Sequence, residues 1–177
     1  ANKTHIKEVD IVGDQKFLSL TEEEKIHTGS AFMTNDSVTS VQMNNLVLDD
    51  HWAEAFGESI AINNTIVKVN IDSNAFTGKG IKDLFEGLAE NETIEDFQVR
   101  HQKKPMASVD EEALYDLLAA NMSIIKLGVD IRNPLVKSKL EGIVNANRDR
   151  LRKQRNAAKK AAGGNTPVSS PMKTPVK

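Results

Sequence analysis

The chain has 177 residues, 39% of them hydrophobic and 27% charged, the balance of a soluble globular domain with enough length for a sizeable core. It has no cysteine, which excludes a disulfide framework and a thiolate metal site and points to a reducing, intracellular setting. The net charge of −2 hides an asymmetry: residues 1–144 carry 14 Lys/Arg against 24 Asp/Glu, residues 145–160 carry 7 against 1, and residues 161–177 add two lysines.

The first residues, Ala1-Asn-Lys-Thr-His-Ile-Lys7, contain no apolar signal core, and no run approaches the roughly 18 apolar residues of a membrane span. No membrane role is expected. Ile6, Val9 and Ile11 then open the chain almost directly on a strand, with nothing ahead of them to cap an apolar edge. The expectation is a fragment, or a chain whose upstream segment supplies that cap. Residues 13–34 are the least regular stretch. Thr21-Glu-Glu-Glu24 reads as a capping box at a helix start, but the following apolar face is thin and Gly29 interrupts it.

From Asn35 onward a unit repeats. Its clearest copy runs from Asn63 to Asn74, with Ile66, Val69 and Ile71 at spacings of three and two, the order of a leucine-rich repeat whose short strand is followed by a turn and a helix. Val38, Val41 and Met43 repeat it, as do Ile94, Phe97 and Val99, and then Ile124, Leu127 and Val129. The leading asparagines, Asn35, Asn63, Asn91 and Asn121, lie 28, 28 and 30 residues apart. Each begins an Asn-x-Ser/Thr triplet, as does Asn2. A structural cause is preferred over glycosylation, because asparagine tolerates the left-handed conformation that ends a helix.

The intervening helices share one face. Phe56 and Ile60, Leu84 and Leu88, and Leu114 and Leu118 each stand seven and three residues before a leading asparagine, and Trp52, Phe85 and Tyr115 extend that face toward the strands. The fold class expected is α/β: a leucine-rich-repeat solenoid of about five repeats, a right-handed superhelix of the ribonuclease-inhibitor kind, spanning residues 1–133. Arg132-Asn-Pro-Leu135 breaks the repeat, with Asn133 as N-cap and Pro134 at the first helical position. A helix over residues 134–160 then closes the solenoid through Val136, Leu140, Ile143, Val144 and Leu151, while its distal part is basic. Residues 161–177 lack bulky apolar groups and read as disordered; Thr166, Ser170 and Thr174 each precede a proline there and could accept phosphate.

Nothing points to an enzyme, a cofactor or a metal. Asp49-Asp50-His51 reads as a polar triplet at a helix start, since no metal-ligand spacing accompanies it. Gly78-Lys79-Gly80 lacks the rest of a phosphate loop and reads as a turn. Nucleic acid is disfavoured for the basic cluster, because the body is acidic and no aromatic residues interleave the cations. A repeat protein that regulates an enzyme, as ribonuclease inhibitors or GTPase activators do, is the alternative.

The segment Val69-Asn-Ile-Asp-Ser-Asn-Ala-Phe-Thr-Gly-Lys-Gly-Ile81, the Asn-x-Ser/Thr start of each repeat, and the closing Asn145-Ala-Asn-Arg-Asp-Arg-Leu-Arg-Lys-Gln-Arg155 together resemble the C-terminal half of the tropomodulins. The likeness covers roughly residues 1–155 and is poorest at 13–34. It implies actin as partner, capping of filament pointed ends, tropomyosin binding through an N-terminal half that this sequence lacks, and a cytoplasmic, cytoskeletal monomer. The residues expected to contact actin are Arg148, Arg150, Leu151, Arg152, Lys153 and Arg155, with Arg100, Lys103 and Lys104 as a weaker second set. The related leiomodins continue past this helix with a further actin-binding segment. Residues 156–177 show no such amphipathic helix, which favours capping over nucleation. Of the repeat's turn asparagines only Asn74 is present, with Asp14, Leu46, Gln102 and Arg132 at the equivalent places, so no asparagine ladder is expected along the turns.

Overall fold

The computed structural model describes residues 6–162; Asn2 and the phosphate-acceptor candidates in the tail lie outside them. Five parallel strands, β1 (Glu8–Asp10), β2 (Ser40–Gln42), β3 (Lys68–Asn70), β4 (Asp96–Gln98) and β5 (Lys126–Gly128), pair in chain order. Their register places Val9, Val41, Val69, Phe97 and Leu127 in one row across the sheet. Each strand needs a crossover to reach its parallel neighbour, and α3 (Asp50–Ile62), α4 (Gly78–Glu90) and α5 (Ser108–Leu118) supply the last three. Phe56, Ile60, Leu84, Leu88, Leu114 and Leu118 are all buried against the strand row, as the seven-and-three spacing requires. Trp52 stacks on Phe56 at 4.7 Å, and Phe32 meets Phe56 edge-on at 5.3 Å, which carries the aromatic core into the first crossover.

That first crossover is broken into α1 (Gln15–Leu18), α2 (Glu22–Ser30) and a 3-10 turn (Ala31–Thr34), rather than one helix. The capping box is present: the Thr21 hydroxyl accepts from the Glu24 amide at 3.3 Å, and the Glu24 carboxylate accepts from the Thr21 amide at 2.9 Å. Gly29 does not interrupt the packing. A Cβ there would stand 3.3 Å from the Phe56 amide and the Trp52 carbonyl, so the missing side chain is what lets α2 lie against α3. The same device recurs between α3 and α4, where a Cβ on Gly87 would lie 2.2 Å from the Gly57 carbonyl oxygen.

The leading asparagines do not take the left-handed conformation expected of them. Asn35, Asn63 and Asn91 are extended, with ψ between 124° and 134°. Their importance lies in the side chain. The Asn91 Oδ1 accepts from the Thr93 and Ile94 amides at 2.9 and 2.7 Å, and its Nδ2 donates to the Ile60 and Asn63 carbonyls at 2.7 and 2.8 Å. Asn63 and Asn121 repeat the pattern one unit either way. Each amide thus ends one helix, starts the next strand and ties both to the preceding repeat. The left-handed positions fall instead in the turns after the first four strands, at Gly13, Asn45, Val47, Ser73 and His101. There Asn74 donates to the Met43 and Ile71 carbonyls and accepts from the Leu46 and Leu48 amides. Gln102, one methylene longer, repeats much of this by donating to the Ile71 and Val99 carbonyls and accepting from the Phe76 amide. The turns therefore do carry a short amide ladder, of two rungs.

The last helix, α6 (Pro134–Ala162), starts where the repeat breaks. The Asn133 side chain accepts from the Leu135 amide at 3.0 Å, confirming it as the cap. A second anchor comes from α5: the carboxylate of Glu111, 2% exposed, accepts from the Arg132 and Asn133 amides at 3.0 and 2.8 Å. Val136, Leu140 and Val144 are buried at the end of the core, and Ile143 is partly buried.

Asn91→Ala removes the partner of two carbonyls and two amides, and it should lower unfolding stability in urea by about 2–4 kcal/mol with little change in slope. Glu111→Ala should cost about 1–3 kcal/mol and raise amide exchange in the first turn of α6 before it affects β2 and β3. The Glu24 carboxyl is held below its ordinary range by its bonds from the Thr21 backbone and hydroxyl. A depressed carboxylate contributes above the unfolded-state range and is lost as pH falls through its folded value. Nuclear magnetic resonance titration should accordingly show the Thr21 amide protected at neutral pH and released in acid.

Candidate partner-binding surface

The basic part of α6 divides into two groups. Near the body, Arg148 turns inward: its Nε donates to the Ile125 carbonyl at 2.6 Å and its guanidinium reaches the Asn145 side chain at 3.4 Å. Arg150 donates to the Asn147 side-chain oxygen. Asn147, 3% exposed, donates to the Asn121 and Ile124 carbonyls at 3.1 and 2.9 Å. It is a rung of the asparagine ladder placed on a helix. Its signal in the sequence is its interval of 26 residues from Asn121, close to the repeat length. Glu111 is the other residue the sequence did not single out, and nothing in its spacing marks it.

Beyond this point the cations face solvent. Arg152 pairs with Asp149 at 3.2 Å across one turn, with both side chains more than half exposed, so that pair is worth little. Lys153, Arg155, Lys159 and Lys160 are exposed and have no ion-pair partner among the described residues. Arg148, Arg152, Arg155 and Lys159 stand at i, i+4, i+7 and i+11, one stripe of a helix. Leu151 is half-buried and lines a groove of about 850 Å³ between this helix and the strand-start edge, where Glu90, Glu92, Glu95 and Met122 form the opposite wall. Arg150 and Leu151 of α6 therefore face an acidic wall that includes the exposed Met122, while the stripe lies on another face of the helix.

The second set is elsewhere. Arg100 is tied to Asp72 by an ion pair of 3.2 Å and by its own amide, which makes it part of the turn. Lys103 and Lys104 are exposed in the loop that follows. All three follow the end of β4, whereas Arg148 sits on the carbonyl that precedes β5, so the two sets occupy opposite edges of the solenoid. The structure does not bring them together.

The residues that could have suggested chemistry are used in the fold. Asp49 caps α3 by accepting from the Trp52 amide, and Asp50 accepts from the Thr77 amide at 2.7 Å. Lys79 lies between Asp83 at 2.9 Å and Glu54 at 3.2 Å, and those bonds raise its ammonium above the ordinary range. Gly78 and Gly80 leave room for the carboxylates of Asp110 and Asp50. Among the described residues no group of His, Cys, Asp and Glu could hold a metal ion, and no helix is long and apolar enough to cross a membrane.

Residues 3–150 match the TMOD/LMOD leucine-rich domain family. Among curated proteins, human Leiomodin-2 is 27% identical over 171 residues, covering 89% of this chain and 31% of that protein. Rat Leiomodin-1 is 29% identical over 143 residues, covering 81% of this chain and 24% of that protein. The chain thus spans about a quarter to a third of the length of these relatives. Among solved structures, the Leiomodin-1 Actin-Binding Site 2 superposes with a TM-score of 0.82 at 27% identity, over 91% of both chains. The Caenorhabditis elegans tropomodulin C-terminal domain superposes with a TM-score of 0.79 over 88% of this chain and 92% of its own, and at 18% identity it speaks to the fold alone. With the family model matching residues 3–150, the chain belongs to the tropomodulin and leiomodin leucine-rich domain family.

Proposed function

We propose that this domain binds actin and, acting at filament pointed ends, blocks both addition and loss of monomers. The observation that carries the actin-binding reading is the likeness to the Leiomodin-1 Actin-Binding Site 2, which extends over 91% of both chains. The charge layout supports it. An acidic partner is attracted and oriented by a cationic stripe, and the acidic walls nearby restrict the orientations it can adopt. Arg152, Lys153 and Arg155 are the principal contacts in this reading, with Leu151 as an apolar contact at the groove rim. Arg148 and Arg150 hold the stripe in place, and their own contacts to actin are secondary to that. Arg100, Lys103 and Lys104 form a separate contact on the opposite edge. Tropomyosin binding belongs to the part of the longer relatives that this sequence does not cover, and the setting is the cytoplasmic cytoskeleton.

Two truncations of α6 differ in what they leave of the solenoid's closure. Ending the chain after Asn147 removes Arg148 from the Ile125 carbonyl, whereas ending it after Leu151 keeps both Asn147 and Arg148 in place. Pointed-end elongation from seeds blocked at the barbed end should be slowed by the intact chain and not by the chain ending at Leu151, provided circular dichroism shows both folded. Reversal of Arg152, Lys153 and Arg155 to glutamate should raise the half-inhibitory concentration roughly tenfold or more, and the inhibition by the intact chain should weaken with salt. Equal inhibition by the reversed and native chains would remove the stripe from the actin interface.

A further inference from the structure

We infer that the outer edge of β5 is a docking site for one extended, acidic segment of a partner protein, added as a sixth parallel strand. Along a strand, alternate residues direct their backbone N–H and C=O to opposite neighbours. Lys126 donates its amide to Glu95 at 3.0 Å, and Gly128 accepts from Val99 at 2.7 Å, so both face β4. Leu127, between them, faces away from β4. The repeat extends the argument to Val129. Met43 donates to Asn70, Ile71 to Gln98 and Val99 to Gly128, each across to the following strand. Val129 is next in that series, and no strand follows.

On the other side of the same edge the deficit has been filled. The Val67 carbonyl accepts from Glu95 and Asp96, and the Glu95 carbonyl accepts from Ile125 and Lys126. The next acceptor in line, the Ile125 carbonyl, receives the Arg148 Nε instead of a sixth strand. The Asn147 side chain likewise takes the place that a fifth leading asparagine would hold after Asn121. α6 therefore closes the start of the edge and leaves its centre, Leu127 and Val129, open to pairing.

The side chains tell the same story. Val41, Val69 and Phe97 are buried, while Leu127 in the same row is only half-buried. Leu127, Val129 and Ile131 line a groove of about 340 Å³ whose far wall is Leu140 and Val144 of α6. An unpaired strand edge facing an apolar wall is the arrangement used in recognition by strand addition, where backbone bonds supply affinity and alternate side chains supply specificity. Lys137 and Arg148 flank the groove against Glu141 alone, a balance that selects an acidic segment over a basic one. The groove shares Arg148 with the stripe of α6, whereas Leu127, Val129 and Ile131 belong to it alone.

The test uses the full chain, labelled with nitrogen-15, and a synthetic seven-residue peptide of alternating threonine and valine with glutamate at both ends. Saturating peptide should slow hydrogen exchange at the Leu127 and Val129 amides about tenfold and leave Lys126, already paired, unchanged. Two further peptides, N-methylated on the odd or on the even residues, should differ, because only one set of amides faces β5. Lys137→Glu, on an exposed side chain, should weaken binding roughly threefold, the size of a rim ion pair. The inference is overturned if millimolar peptide protects neither amide or if both N-methylated peptides bind equally. It is also overturned if the free chain already protects both amides, whether through its own tail or through a second copy detected by sedimentation.

Discussion

A buried carboxamide that bonds in two directions is the interaction on which this solenoid depends. A strand of three residues offers few ladder bonds, and a helix of eleven to thirteen residues has little stability alone. Neither element could hold its place without its neighbours. The side chains of Asn63, Asn91 and Asn121 join them at the point where helix becomes strand, satisfying amides of their own repeat and carbonyls of the one before. Because a buried polar group left unpaired costs more than its bond contributes, the rungs specify register as well as adding stability. The hydroxyls of Thr65 and Thr93 reinforce them by donating to the Val38 and Ile66 carbonyls. That accounts for an Asn-x-Thr pattern without sugar: the asparagines are 3–6% exposed and their amides fully engaged.

Much of this was legible in the sequence, and the reason is periodicity. Apolar residues at fixed distances from Asn63, Asn91 and Asn121 report the core directly, since a helix face and a strand row must both recur with the repeat. What the sequence concealed was conformation and direction. The asparagines could be recognised as structural, but their extended backbone followed only from seeing where the side chain goes. Gln102 departs from the asparagine of the turn pattern, yet one additional methylene still lets an amide reach the Val99 and Ile71 carbonyls. The region 13–34 was opaque because its packing rests on the absence of a side chain at Gly29, which leaves no apolar period to read.

The candidate surface was less legible for a related reason. A run of cations has no phase of its own, and seven in sixteen residues look equivalent on paper. The fold divides them by their distance from the last repeat. Asn147 and Arg148 complete the backbone bonding of the solenoid, Arg150 supports Asn147, and from Arg152 onward the helix is free to meet a partner. Closing the repeat and presenting charge are therefore successive segments of one helix, and a substitution near their junction acts on both.

The Gly57–Gly87 contact bears on the shape of the whole surface. Strands in a sheet lie about 4.8 Å apart, whereas packed helices ordinarily stand 8–10 Å apart, and that mismatch is what bends a repeat stack into an arc. Where two glycines let backbone approach backbone, the wedge narrows and the arc flattens. The chain carries this close backbone approach at its middle, between α3 and α4. Two absent side chains thus set how closely α3 and α4 can approach, and with it the local curvature of any surface a partner must match.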